Sequence, residues 1–322
     1  MRQWTGLTRD EQGDVLKTAA SWRDEGKDYE TILDLFLQDQ GIELSRSGLR
    51  GRLSEYRRGE ISFDGLATDN DEERLFTYDL TSYVDGNGWV RILPMGDFHW
   101  GRQCDKELVK RNLDWASSHN VPIFGMGDLA EFALKDSPGM AIYEEDSPQV
   151  IRTELRALLK PYADAGLFKG DFWSNHSGRI HKRVGLNEAL NFCEEALGVD
   201  FWGFSAFFEL KVGEQVYTMW GSHGASGAVT LSSKINTVEK IGTYVDADIY
   251  LYGHVHDLFT WSRLKRAVVN GKITELRRTF VLTGAFLKWK GSYAEQKLYA
   301  PTKRGSAKIQ LSAEKHDVHV SI

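Results

Sequence analysis

Five short strand-like segments, each followed at once by residues that bind hard cations, constrain this chain more than anything else in it. Residues 90–93 lead into Met95-Gly-Asp97-Phe-His99-Trp-Gly101, and residues 121–126 end in Gly127-Asp128. Residues 168–173 are followed by Ser174-Asn175-His176, and residues 216–220 by Gly221-Ser222-His223-Gly224. Residues 249–252 are followed by Gly253-His254-Val255-His256. Apolar runs of this length, bounded by turn residues, read as buried strands. A residue just past a strand end sits on a loop that can converge with others while the sheet holds it rigid. Asp97 and His99, two apart in extended chain, project to the same side. One Asp-x-His is common by chance, but five such pieces in order are not.

Carboxylate, imidazole and amide donors suit Mn, Fe, Zn or Ni better than a thiolate-loving metal. A pair of ions about 3.5–4 Å apart needs one bridging carboxylate and several terminal ligands. Asp128 is the natural bridge. The series Asp-x-His, Gly-Asp, Asn-His, His-Gly, Gly-His-x-His resembles the calcineurin-like metallophosphoesterase superfamily, which includes nucleases, over residues 90–256. The resemblance implies two divalent ions, Mn²⁺ foremost, with Fe, Zn or Ni as alternatives. It puts Asp97, His99 and His256 on one ion and Asn175, His223 and His254 on the other. It also implies that His176 sits over the phosphate and protonates the leaving group. Two positions depart from the family pattern. Ser177 stands where an acid usually follows the His, and Glu131 stands where relatives carry Asp or Asn, at a position that is usually not a direct ligand.

Residues 1–60 read as a separate helical module. Thr8-Arg-Asp-Glu11 matches a capping box, and Val15, Ala19 and Trp22 recur on one face of the helix it would start. Gly26 ends that helix. Asp28 caps a second, with Tyr29, Ile32, Leu33 and Phe36 at helical spacing and Gly41 as its stop. A third starts at Ser45, turning Leu49, Leu53 and Tyr56 inward, with Gly48 and Gly51 weakening it. Three helices with a glycine-containing turn resemble a helix-turn-helix unit. Arg46, Arg50 and Arg57 form a stripe beside the apolar face, with Arg52 and Arg58 nearby, where a recognition helix would meet DNA. The competing reading is a solvated basic helix in a dimerisation or docking unit. Residues 61–74, with the run Asp69-Asn-Asp-Glu-Glu73, read as an acidic linker.

From residue 75 to the C-terminus, strand and helix patterns alternate, with helices expected over 106–118, 148–163, 186–197 and 229–244. Phe76, Tyr78 and Leu80 alternate with polar residues, and Asp85-Gly-Asn-Gly88 suggests a hairpin into the 89–93 strand. Strand-like segments follow at 259–269, 272–283, 307–311 and 318–322. The fold class expected is α/β, and the resemblance makes it a four-layer α/β/β/α sandwich over residues 75–322. Residues 131–148 read as a substrate-facing loop. Residues 177–183 read as a basic loop in which Arg179 and Arg183 could hold phosphate. Residues 284–305 mix aromatics with bases, a composition that can stack nucleobases and hold phosphates and that resembles phage-encoded members of the superfamily. His119, His316 and His319 match no motif.

The net charge of −6 excludes the molecule as a whole from acting as a polyanion binder, so any nucleic-acid surface must be local. Two cysteines far apart in sequence fit a reduced, cytoplasmic protein. No run is apolar for long enough to suggest a membrane span. The expected function is a two-metal phosphodiesterase, most simply a DNA-directed nuclease, with a homodimer possible. The alternatives are a small-nucleotide phosphodiesterase whose N-terminal module serves dimerisation, and a DNA-binding regulator retaining a vestigial metal site.

Overall fold

A computed structural model describes residues 2–3, 9–46, 49–50, 53, 74–133, 147–269 and 271–322. The chain divides into two compact units, Met1–Glu73 and Arg74–Ile322.

In the first unit, helix Arg9–Asp24 is followed by helix Tyr29–Gln40. Asp28 caps the second helix by accepting from the Thr31 N–H at 2.8 Å, and Gly41 closes it in the left-handed conformation at φ 63°. Val15, Leu16, Ala19, Ile32 and Phe36 form its core together with Leu49 and Leu53. A short parallel pairing of Arg2–Gln3 with Ile42–Glu43, absent from the sequence pattern, ties the start of the unit to the end of the second helix. Arg46 and Arg50 are exposed, and Arg46 pairs with Glu30 at 3.1 Å. The Thr8 capping box, Gly48, Gly51, Arg52, Tyr56, Arg57, Arg58 and the linker up to residue 73 lie outside the described residues.

The second unit is built on two sheets. One has six strands, in the order Leu258–Val269, Lys272–Thr283, Ile249–Tyr252, Gln215–Ser222, Ser205–Val212, Leu75–Asp79. The other has four, in the order Val318–Ser321, Lys308–Ser312, Trp89–Met95, Ile123–Gly125. Ile92 and Ile309 of the small sheet and Phe208, Met219 and Leu251 of the large one meet in one buried cluster between them. Leu93 and Ile123 face the other way, against Val109 and Leu113 of helix Lys106–Ser118 and Leu155 of helix Pro148–Asp164. Tyr250 and Phe280 similarly meet Val238 of helix Leu231–Ile241. The order is therefore helix, sheet, sheet, helix, as expected for the α/β sandwich.

Three local expectations are corrected. Leu75–Asp79 and Trp89–Met95 do not form a hairpin. The first pairs parallel with Ser205–Val212 in the large sheet and the second lies in the small one. The turn Thr81–Tyr83 carries the chain between sheets, and Phe76 and Leu80 are buried in the cluster that both sheets share. Burial of alternate residues says that one face is covered, not which neighbour lies alongside. Residues 177–183 are not a loop but part of helix Asn175–Val184. The span 186–197 is a short α-turn, Glu188–Asn191, followed by a widened turn, Phe192–Leu197. Of the substrate-facing loop expected at 131–148, residues 134–146 lie outside the described residues. No helix among the described residues is long and apolar enough to cross a membrane.

Candidate metal centre

Each of the seven expected ligands follows the C-terminal end of a strand, and the loops are fastened to one another. Asp97 N–H donates to Gly127 O at 2.9 Å, His99 N–H to Asp128 O at 3.0 Å, and Phe286 N–H to Asp97 O at 2.9 Å. Asp97, His99, Asp128, His254 and His256 all sit in the left-handed region, at φ 49°, 48°, 48°, 66° and 58°. Such backbone costs of order 1–3 kcal/mol per residue and persists where surrounding structure enforces it. Asp97 and His99 thus share a side through two left-handed turns, not through the extended chain that the sequence suggested. Gly127, at φ 79°, lies so close to His223 that a Cβ there would meet Nδ1 at 2.6 Å.

Asp97, His99 and His256 bring their ligand atoms together, as do Asp128, His223 and His254. His256 Nε2 lies 3.1 Å and His99 Nε2 3.8 Å from Asp97 Oδ1. Asp128 Oδ2 lies 3.9 Å from His99 Nε2 and 3.4 Å from His223 Nε2, so it stands between the two groups. Asn175 Oδ1 is 3.0 Å from His223 Nε2.

The proton inventory explains what such a site requires. His223 Nδ1–H donates to Met126 O at 2.7 Å, because a carbonyl can only accept. Its Nε2, which faces the oxygens of Asn175 and Asp128, carries a lone pair once the ring is neutral. His99 Nδ1–H donates to Glu131 Oε2 at 2.9 Å, so in the neutral ring its Nε2 lone pair faces His256 Nε2, also at 2.9 Å. Two acceptors face each other wherever no proton intervenes. Asp97 Oδ1 is buried and makes no hydrogen bond, although His256 Nε2 is near, and His254 Nδ1 is likewise buried without a partner. This donor set fits divalent cations of the first transition row.

The same crowding shifts the titrations. Burial alone would push the carboxyl of Asp97 up, but His256 and His99 outweigh it and hold the group below its ordinary range. Asp128 is also held down against burial, by His176, His223 and His99. Glu131 is held at about 2 against burial, by His176, His99 and Arg179. Burial opposes charge on His99 and His223, yet Asp97, Glu131 and Asp128 raise His99 to about 10, while Asp128 and Asp97 raise His223 to about 9. Without metal, protons take the place of cations here.

His176 opens the helix that Ser174 caps. The Ser174 and Ser177 side chains bond reciprocally to each other's backbone N–H, so Ser177 serves the cap in place of the family acid. His176 Nδ1–H donates to Glu131 O at 2.6 Å, and His176 Nε2 accepts from Arg179 Nη2 at 2.8 Å. Burial lowers His176 to about 4, which leaves the ring neutral. Arg179 is thus brought to the centre as expected, held by the Glu131 carbonyl at 2.8 Å and carboxylate at 3.2 Å. Arg183 is exposed in the last turn of the helix. It lies seven residues on, roughly 10 Å along the axis, and is not in the cluster.

Two residues matter more than their sequence context suggested. Glu131 is 2% exposed and links His99, His176 and Arg179. Asp171 was not singled out. It is buried, accepts the Gly127 N–H at 2.7 Å, and so braces the turn that presents Asp128. Burial pushes its carboxyl up to about 7 against the Gly127 and Phe172 N–H groups. A charge inside the apolar run 168–173 was the available signal.

No protein-family model and no curated protein matches the chain. Among the solved structures similar to it are two that each match at 14% identity over 72% of this chain with a TM-score of 0.33. One is a conserved uncharacterized protein from Streptococcus pneumoniae TIGR4, described as a predicted phosphoesterase, matched over 88% of its length. The other is wild-type Vps29 complexed with Zn²⁺ from Entamoeba histolytica, matched over 97%. The helix, sheet, sheet, helix order, with the ligand series at the ends of the strands, is the arrangement that the resemblance in sequence implied.

Proposed function

We propose that this chain is a metal-dependent phosphodiesterase that binds two divalent ions and acts on nucleic acid, DNA foremost. The observation that carries the reading is the convergence of ligand atoms from Asp97, His99 and His256 in one group and from Asp128, His223 and His254 in another, with Asn175 Oδ1 beside His223 and Asp128 between the two groups. Divalent ions bound there supply polarisation of the phosphoryl group and activation of water. Glu131 keeps the His99 proton on Nδ1, and Met126 O does the same for His223, so each ring offers Nε2 inward. Arg179 and His176 form the pair that meets substrate. On phosphate entry the Arg179 guanidinium shifts from His176 Nε2 to a phosphoryl oxygen. His176 Nε2, which carries the lone pair of the neutral ring, is then free to take up a proton from water and pass it to the leaving-group oxygen.

The preference for DNA is supported by Arg46 and Arg50, exposed at the start of the third helical segment of the N-terminal unit. Labelled single- and double-stranded DNA incubated with the protein and Mn²⁺, beside bis-p-nitrophenyl phosphate, tests the whole reading. Cleavage of both substrate types is expected. Hydrolysis of the small diester with intact DNA and RNA would overturn the nuclease and leave a small-nucleotide phosphodiesterase.

A further inference from the structure

The aromatic and basic stretch 284–305 returns the chain to the metal centre. Thr302 Oγ1 donates to His256 O at 2.8 Å, and Gly305 N–H donates to Ala285 O at 2.9 Å, so the excursion between them is pinned as a strap beside His256. This strap and the segment 226–231 line a groove of about 570 Å³ whose lining includes His254 and His256 of the candidate metal centre. That volume lies within the roughly 300–1,000 Å³ of small-molecule sites.

The lining decides what the groove can hold. Its apolar surface is displayed rather than packed away. Leu298 is 86% exposed, Val229 59% and Tyr299 43%. Leu298 also sits at φ 55°, a conformation that a leucine reaches only under constraint. The Trp289 ring is fixed by its Nε1–H, which donates to Tyr299 O at 2.7 Å. The groove's cations are already paired. Lys234 Nζ bonds Asp257 at 2.6 Å and Val255 O at 2.9 Å, and Arg304 is paired with Asp105. A path for a phosphate backbone needs unpaired positive charge spaced along it, and this groove does not offer that.

We propose that this groove is a nucleoside subsite: it takes the uncharged, flat base joined to a phosphate lying at the metal end, between Tyr299, Trp289 and the exposed Leu298 and Val229. The assignment rests on the phosphodiesterase reading for the phosphate end and on the groove itself for the base end. One nucleoside unit fits, either a free nucleotide or the nucleotide flanking the scissile bond of a strand.

Calorimetric titration of the Mn²⁺-loaded protein with thymidine 5′-monophosphate, deoxyribose 5-phosphate and inorganic phosphate tests it. Stacking one base is worth about 1–3 kcal/mol, so thymidine monophosphate should bind at least about 5-fold tighter than the base-free sugar phosphate. The variant combining Tyr299→Ala with Leu298→Asn should abolish that preference and leave inorganic phosphate binding unchanged. Both side chains are exposed, asparagine tolerates the left-handed conformation, and the Tyr299 carbonyl still receives Trp289, so the fold is retained. An oligothymidylate added in competition separates the sources. Tighter binding than the monophosphate identifies a strand, and equal binding a free nucleotide. Equal affinity of wild type for thymidine monophosphate and deoxyribose 5-phosphate, or a preference that survives in the variant, overturns the subsite. Loss of preference in the variant of a protein that hydrolyses no phosphodiester would uphold the groove and overturn the phosphodiesterase reading instead.

Discussion

At His99 one ring nitrogen is committed to Glu131 so that the other is left with a lone pair at the centre of the site. The geometry of the candidate ligands is in this way set by a neighbour outside the expected ligand set. Replacing Glu131 by Gln keeps the shape but lets the amide offer an N–H to His99 and removes the charge facing Arg179. Carboxylates in this role typically carry 10–100-fold in metal affinity or activity. Glu131→Gln should therefore weaken Mn²⁺ binding by about that factor, read by competition with a fluorescent chelator, and unchanged affinity would remove Glu131 from the centre. Legibility at this scale was uneven. The seven candidate ligands that converge could be read because each combines a chemically distinctive side chain with a strand end. Asp171 could not, because its role lies in one hydrogen bond to Gly127 across 44 positions of sequence.

At the scale of elements, the helix Asn175–Val184 presents His176 and Arg179 on one face, three residues apart. Its start depends on the reciprocal Ser174–Ser177 cap. Ser174→Ala should cost about 1 kcal/mol and lower the melting temperature of the second unit by about 2–4 °C, with any phosphodiesterase activity falling further than that loss implies because His176 loses its mount. Retained activity together with a lowered melting point would make the cap purely structural. The sequence hides this helix because Gly178 together with Arg179, His181, Lys182 and Arg183 resembles a surface loop, whereas the capping serines and Gly185 were the readable signs of its two ends. The strand patterns were more legible. The runs 249–252 and 272–283 were read as strands and are strands; the first is buried throughout, and the second over its last five residues, where Phe280, Val281 and Leu282 lie. Strand partners were not legible, as the failed 75–93 hairpin shows. Which sheet a strand joins is decided by contacts with residues far away in sequence, here Ser205–Val212.

For the N-terminal unit, Arg46→Ala with Arg50→Ala should weaken DNA binding and flatten its salt dependence by about one to two counterions. Identical salt slopes for variant and wild type would assign the unit another task.

At the scale of the whole molecule, the metal centre couples stability to pH and to metal. In metal-free protein, His99 and His223 have folded pKa values of about 10 and 9, above their ordinary 6.5. Their contribution is complete below pH 6.5 and is lost as pH rises through 9 to 10. On the acid side, Glu131, held at about 2, loses its contribution as pH falls below its ordinary 4.5, and His176, lowered to about 4, must charge against burial. Metal-free protein should therefore be most stable near pH 6.5 and melt lower at pH 9.5. Metal reverses the alkaline trend, since ions displace those protons and bind more tightly as pH rises. The melting-temperature gap between Mn²⁺-loaded and stripped protein should widen from pH 6.5 to 9.5. A gap that stays constant would mean that the imidazoles bear no metal.

The most direct measurement is hydrolysis of bis-p-nitrophenyl phosphate by metal-stripped protein before and after Mn²⁺ is added, with Asp128→Asn beside it. Asp128 is the carboxylate placed between both ligand groups. Activity should be absent in stripped protein, appear with Mn²⁺, and fall by at least about 100-fold in the variant. Hydrolysis that needs no metal, or that survives in Asp128→Asn, would contradict a metal-dependent phosphodiesterase built on these residues.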